Sequence, residues 1–296
     1  MKISGFTFIR NGIQLRYPFI ESIQSILPVC DEMVIAVGNS DDGTREAIEK
    51  LHSEKIKIID TVWNESLRNG GKILAQQTNI AFDFISGDWG FYLQGDEVIH
   101  ENDLQRISDA AKKYLNDHSV DGLLLKWLHF FGSYNYIAKP FSRGAYPYEV
   151  RLIRNSKEIR SYRDAQGFRK FSEDKPDAAR PLRVKKIDAT VYHYGKVRGP
   201  ADEFERAKSF NRLWHDDEWI QNFSKGKNEF DYVCKFPLEK FSGSHPAVMK
   251  ERIEKSNWNF IPKKKDIQIP FKYRMLNSLQ SITGLRPFEF RNYVVV

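Results

Sequence analysis

Cysteine is nearly missing from this chain of 296 residues, which holds Cys30 and Cys234 and no others. Two thiols so far apart exclude a disulfide framework, and neither stands at a metal-ligand spacing from a second thiol or an imidazole. Long hydrophobic runs are missing as well. The longest, "GLLLKWLHFF", falls far short of the ~20 residues a spanning helix needs and is broken by Lys126. The opening "MKISGFTFIRNG" has neither the apolar run nor the small-residue cleavage site of a secretion signal. Internal repeats and low-complexity tracts are also absent. The expectation is a soluble protein of a reducing, cytoplasmic compartment.

What is present is enough apolar material for a sizeable core: 41% of residues are hydrophobic, sufficient for one large domain or a domain with an appendage. Lys and Arg number 46 against 39 Asp and Glu, a net charge of +7. Such a balance suits a phosphate-bearing partner, whether nucleotide, nucleic acid or anionic lipid, without choosing among them.

The first hundred residues alternate in type. "KISGFTFI", "EMVIAV", "KIKIID" and "WGFYL" read as strands. Between them "PFIESIQSIL", "DGTREAIEKLHSE" and "KILAQQTNIAFDFIS" carry apolar residues at helical spacing, with Pro18 suited to a first turn and Asp42 or Thr44 to a cap. "ENDLQRISDAAKKYL" reads as a further helix. This order predicts a doubly wound α/β fold with a mostly parallel sheet. After about residue 120 the strand-like pieces "DGLLLKWLHFF", "YEVRLIR" and "IDATVYHYG" are separated by polar loops, and a helical run follows from Ala201 to Trp214. From Lys225 the chain is aromatic, basic and proline-interrupted, as a wrapping tail would be. The division expected is 1–120 for a nucleotide-binding half, 121–224 for an acceptor-binding part of the same domain, and 225–296 for a C-terminal extension.

In open α/β sheets ligands bind beyond the carboxyl ends of the strands. Three polar clusters fall there: Arg10-Asn11-Gly12, "GNSDDGT" from Gly38 to Thr44, and "QGDE" from Gln94 to Glu97. Gln94 and Asp96 are two apart, so they share a strand face, which is geometry for holding a hard cation through oxygen. Glu97 is left to orient its neighbours. The same acids would serve equally well as caps for the helix that follows.

"GNSDDGTREAI", followed by "NGGKILAQQTNIAFDFISGDWGFYLQGDEVI", resembles the first half of a family 2 glycosyltransferase of the GT-A fold. The resemblance covers roughly residues 1–100. It implies an inverting transfer of sugar from a nucleotide diphosphate donor to a saccharide or lipid-linked saccharide acceptor, assisted by Mn²⁺ or Mg²⁺, in the synthesis of a cell-surface polysaccharide or glycolipid. Carried over, Ser40, Asp42 and Thr44 take the nucleotide loop, with Arg10, Asn11, Asn79 and Gln94 on the donor side. Asp96 takes the second acid of the metal motif. Two positions depart from the pattern: Val37 replaces the first acid of the nucleotide loop, with Asp41 as a substitute, and Gln94 replaces the first acid of the metal motif. The resemblance places a metal-facing imidazole at His193, which would favour Mn²⁺; a backbone-bonded structural histidine is the alternative.

Displacement of this kind requires a base at the acceptor hydroxyl. In "YEVRLIRNSKEIRSYRDAQGFRKF" the family's acid falls at Asp164, with Glu149 second and Glu173 third. Asp164 has Arg160, Arg163 and Arg169 nearby in sequence and would otherwise be a surface ion-pair member. Arg151 and Arg154 are expected to share one strand face, turned to phosphate or to solvent. Trp127, His129, Tyr134, Tyr136, Tyr146 and Tyr148 are rings that stack on sugars or fill the core. Phe271, Met275, Leu279 and Ile282 recur at three and four, downstream of Lys263-Lys264-Lys265. That stripe either packs on its own domain or rests peripherally on the inner face of the cell membrane. In "FSGSHPAVMKERIEKS" His245-Pro246 is expected to start the helix that follows.

Three other readings compete. A sugar nucleotidyltransferase needs a glycine-rich loop after the first strand, and "FTFIRNGIQLRY" has a single glycine. A nucleic-acid-binding protein is disfavoured by acids in the expected cleft. An inactive relative that binds donor without turnover is kept open by Val37 and Gln94.

Overall fold

The computed structural model describes residues 1–296 apart from 65, 66, 68, 69, 173 and 174; for 175–178 the backbone alone is described. Glu173 therefore lies outside the described residues.

Four parallel strands form one half of the sheet: β1 (Ile3–Ile9), β2 (Glu32–Gly38), β3 (Ile56–Thr61) and β4 (Trp89–Tyr92), in spatial order β3-β2-β1-β4. Helices α1 (Phe19–Ile26), α2 (Thr44–Glu49) and α3 (Lys72–Asp83) make the crossovers. Pro18 stands just outside α1 as its N-cap, one position earlier than a first-turn proline. Gly43, at φ +85°, is the N-cap of α2, and Asp42 before it accepts the Thr44 N–H at 3.1 Å. A side chain would strain that left-handed position, so the glycine sets where α2 starts.

β5 (Glu97–Ile99) follows β4, and α4 (Leu104–Lys113) leads into β6 (Gly122–Phe131), β7 (Ser133–Ala138) and β8 (Tyr148–Arg154). β8 runs antiparallel between β4 and β6, with Phe91 opposite Leu152 and Leu125 opposite Glu149. A reversed strand in this place brings its own start level with the end of β4. Beyond β6 lie the long β11 (Lys175–Lys196) and the short β10 (Phe168–Ser172) and β9 (Ile159–Ser161).

Arg151 and Arg154 are three apart on β8 and so lie on opposite faces, Arg151 buried and Arg154 half-buried, each engaged with protein groups. Arg154 lies over Trp89 and donates to the carbonyls of Tyr114, Leu115, Asp117 and Val120 where α4 ends. Arg151 is buried against Glu97.

Apolar layers cover both faces of the sheet. One contains Ile3, Ile23, Ile35, Trp89, Phe91, Leu123, Leu125 and Leu152; the other contains Phe6, Phe82, Tyr92, Leu124, Ile153 and Phe168. α5 (Pro200–Asn211) and α6 (Asp217–Ser224) follow β11. Residues from 225 on return to the body: β12 (Leu238–Lys240) pairs with β7, and β13 (Tyr293–Val295) with β11. Between these are α7 (Lys250–Glu254) and α8 (Phe271–Thr283). Pro246 caps a 3-10 turn before α7, and His245 Nδ1 lies 2.9 Å from the Tyr194 hydroxyl, in a ring cluster with Phe130 and Phe241. Among the described residues no helix is long and apolar enough to cross a membrane.

Candidate active site

A cavity of about 520 Å³ opens where β1 and β4 end and β8 begins. Its wall takes Arg10 and Asn11 from the end of β1, Gln94 and Asp96 from beyond β4, Trp127 from β6, and Glu149 and Arg151 from β8. Asp164, Ala165 and Gln166 close one side, Arg206 and Arg212 overhang from α5 and its end, and Asn292 and Tyr293 complete it from the C-terminal segment.

Asp96 sits half-buried in this wall, its Oδ2 3.5 Å from His193 Nε2. Burial alone would raise its carboxyl, but His193, with Arg198 and Arg206 beyond, outweighs that cost and holds it at about 2. His193 is not part of the wall. Its other nitrogen, Nδ1, lies 3.2 Å from His129 Nδ1, while His129 Nε2 lies 3.1 Å from the Tyr146 carbonyl. Burial, reinforced by the neighbouring His193, pushes His129 down to about 3, so it is neutral. A neutral His129 donates from Nε2 to the carbonyl and accepts at Nδ1, which assigns the His193 proton to Nδ1. His193 Nε2 is then left facing the Asp96 carboxylate.

Among the described residues no three His, Cys, Asp or Glu side chains converge as a metal cage. The available donors are one ionised carboxylate with an imidazole 3.5 Å away, and the Gln94 side chain elsewhere on the cavity wall. That set fits a hard divalent ion whose remaining ligands come from substrate phosphate and water, and it does not fit a resident structural metal.

Glu149 is buried in the cavity wall at the start of β8. Its Oε2 accepts no hydrogen bond from any described residue, and Arg151 Nη1 stands 3.6 Å away. Burial pushes the carboxyl up to about 7 against the pull of Arg151, with Glu97 adding to the rise. Asp164 is half-buried, and one of its oxygens accepts from Gln166 Nε2 at 3.0 Å. Arg160, one of its sequence neighbours, pairs with Asp83 instead.

Ser40, Asp42 and Thr44, expected in a nucleotide loop, stand outside the cavity wall. Ser40 Oγ accepts from Asn11 N at 2.9 Å, and Thr44 Oγ1 from Gly12 N at 2.8 Å and Ile13 N at 3.3 Å. Asp42 takes Gln14 N at 2.8 Å and the Thr44 hydroxyl at 2.5 Å. Burial opposes its ionisation, but these bonds win and keep the carboxyl below its usual range. All three side chains thus hold the loop after β1 rather than face the cavity. Asn79 is likewise spent on the Ser161 backbone, donating at 3.1 Å and accepting at 2.9 Å. Val37 is buried in the core, and Asp41, the expected substitute, is exposed and outside the wall. Trp63 and Asn64 occupy that side of the cavity.

Of the aromatic candidates, Trp127, Tyr146 and Tyr148 line the cavity, whereas Tyr134 packs on Tyr194 and Tyr136 on Phe260. Residues that sequence reasoning missed come mainly from α5. Glu203 is fully buried, 3.2 Å from Arg198 Nη1 and 2.7 Å from Arg206 Nη2. Burial would weaken the Arg206 charge, but Glu203 more than restores it, leaving a firm cation at the cavity.

The model of glycosyl transferase family 2 matches residues 17–174. That is more than half of the chain, which therefore belongs to this family, and the fold described above is the mixed α/β arrangement of GT-A glycosyltransferases. No curated protein matches the chain. Among solved structures it is similar to TarS of S. aureus, with 17% identity over 71% of this chain and 39% of that one, at a TM-score of 0.39. It is similar also to TarS 1-349 in complex with UDP-GlcNAc, with 16% identity over 75% and 70% at a TM-score of 0.41. Glucosyl-3-phosphoglycerate synthase from Mycobacterium tuberculosis, in complex with Mg²⁺ and uridine-diphosphate, shares 17% identity over 43% of each chain at a TM-score of 0.29. The chain spans 39% of the length of the first of these proteins.

Proposed function

We propose that this glycosyltransferase moves a sugar from a nucleotide diphosphate donor to an acceptor hydroxyl, with inversion, in one displacement. The observation that carries the reading is Asp96, an ionised carboxylate at the end of a parallel strand, set on the cavity wall beside an oriented imidazole. Asp96, His193 and Gln94 would hold Mn²⁺ or Mg²⁺, whose charge offsets that of the diphosphate when bound. Arg206 and Arg212 add positive charge where the leaving group becomes more negative. Arg10, Asn11, Trp63 and Asn64 would receive the nucleoside, while Ser40, Asp42 and Thr44 act on it through the loop they hold.

Glu149 would take the proton from the acceptor hydroxyl. A carboxyl near 7 with a vacant oxygen meets what a base at neutral pH requires. Asp164, one oxygen already engaged, would bind a hydroxyl of acceptor or donor sugar. Trp127, Tyr146 and Tyr148 offer ring faces to a saccharide or lipid-linked saccharide acceptor. On this reading residues 1–120 serve the donor, residues 121–224 the acceptor, and 225–296 close the cavity. The product would be a cell-surface polysaccharide or glycolipid built at the cytoplasmic side.

A thermal-shift panel of nucleoside diphosphates with and without Mn²⁺ tests the proposal. At least one should stabilise the chain in a metal-dependent way, and the effect should vanish in Asp96→Ala. No response to any of them would overturn it. Gln94 and the buried Val37 favour a second reading, donor binding without turnover. Release of nucleoside diphosphate from a nucleotide sugar decides between the two.

A further inference from the structure

We propose that α8 is a docking helix that seats this chain on an anionic lipid surface. The helix is amphipathic the wrong way round for packing. Its polar face meets the body: Asn277 Oδ1 accepts from Arg143 N at 2.9 Å, the Tyr273 ring lies against Gly144, and Gln280 Oε1 accepts from Arg286 Nη1 at 2.9 Å. Its apolar face looks away. Phe271, Met275, Leu279 and Ile282 are 73%, 58%, 42% and 83% exposed, and no residue of the helix is buried. At about 100° per residue these four fall within an arc of roughly 80°, opposite the arc of Tyr273, Asn277 and Gln280. Beyond the left-handed Gly284 that ends the helix, Leu285 and Phe288 prolong the exposed apolar surface.

Charge identifies the occupant. Lys272 and Arg274, both exposed, flank the apolar arc on its two sides. Between Ile261 and Pro287 the basic residues are Lys263, Lys264, Lys265, Lys272, Arg274 and Arg286, against Asp266 as the one acid. A helix with an exposed apolar stripe edged by cations lies in the plane of a membrane interface, and the cations draw it to anionic headgroups. A second copy of this chain would bring the same lysines together and is repelled by them. The connection to the cavity is short: Glu289, which pairs with Arg286, and Phe290, Asn292 and Tyr293 line it. Docking through α8 would therefore hold the cavity close to the bilayer. If the transfer proposed above is correct, its acceptor is lipid-linked; that clause rests on the earlier reading, whereas the docking does not.

Vesicle flotation of the full chain tests the idea without donor or metal, so its outcome is separate from that of the nucleotide panel. The chain should float with phosphatidylcholine vesicles containing phosphatidylglycerol, lose most of that binding in high salt, and float poorly with phosphatidylcholine alone. The double substitution Met275→Glu with Ile282→Glu should lower binding by more than about tenfold, because it places charge in the inserted face. Its thermal midpoint should stay unchanged, since both side chains are exposed. Equal flotation of wild type and double variant would overturn the proposal. So would absence of flotation with a sedimenting dimer that the double variant dissolves.

Discussion

Arg151 grips Glu97 beside the cavity through two hydrogen bonds, 2.8 Å from Nε to Oε2 and 2.5 Å from Nη2 to Oε1, with both side chains nearly sealed from solvent. The guanidinium also lies over the rings of Tyr92 and Trp127. The pair ties β8 to β5 at the point where the proposed base and the proposed metal ligand stand. Arg151→Met leaves a buried carboxylate alone and should cost about 3 to 5 kcal/mol, read as a fall in the urea midpoint. Replacing both partners with apolar residues should recover most of that loss, because neither charge is then left unpaired.

Glu149 makes the pH profile diagnostic. Its carboxyl is raised, so the proton is bound in the folded state at pH values where an ordinary glutamate is already ionised. A base must be unprotonated, and kcat/KM should therefore rise as pH increases through about 7. Glu149→Gln should lower kcat by about 10²- to 10⁴-fold and abolish that limb. Asp164→Asn should act mainly on KM. If Asp164→Asn erased the limb and Glu149→Gln kept it, the two roles would be exchanged.

His129 touches neither donor nor acceptor in the proposed arrangement, yet it fixes the orientation of His193. His129→Phe should weaken Mn²⁺-dependent nucleotide binding by about 10- to 100-fold, the usual scale for loss of a ligand's supporting hydrogen bond. Titration calorimetry with a nucleoside diphosphate and Mn²⁺ reads this directly. Removing metal with a chelator should reduce wild type and variant to the same weak binding.

Asp121 controls acid stability. Burial would raise its carboxyl, but hydrogen bonds from Arg180 and Arg183 reverse this and lower it to about 2. A depressed carboxyl stabilises the fold fully above its unfolded value near 4, and that contribution is lost as pH falls through 2. The two arginines are partly exposed, so the share is about 1 to 2 kcal/mol. Asp121→Asn should flatten the dependence of the urea midpoint on pH between those values.

The alternating half of the fold was legible because its signal is local: strands of period two and helices of period 3.6 are written within ten residues of themselves. Asp96 was legible for the same reason, as a carboxylate just past a strand. Ser40, Asp42 and Thr44 show where such reading stops. A short polar side chain in a turn serves a ligand and its own backbone equally well, and the choice depends on how close the loop after β1 comes. β5 escaped notice because three residues carry no period. Arg206 stood in a helix that the sequence does announce, but its place over the cavity follows from how α5 docks, which no local pattern encodes. Arg151 was misjudged because its partner, Glu97, is 54 residues away.

The reversal of β8 separates the tools of the enzyme by the direction of their strands. Parallel neighbours contribute their endings to the cavity, while this one contributes its beginning, so Glu149 is set by a segment, residues 139–147, that shares no backbone with Asp96. Lengthening or shortening that segment would reshape the wall around Glu149, the proposed acceptor side, while leaving the strand endings that carry Asp96 in register. A lineage built on this scaffold could therefore vary one wall of the cavity through a single loop and keep the other.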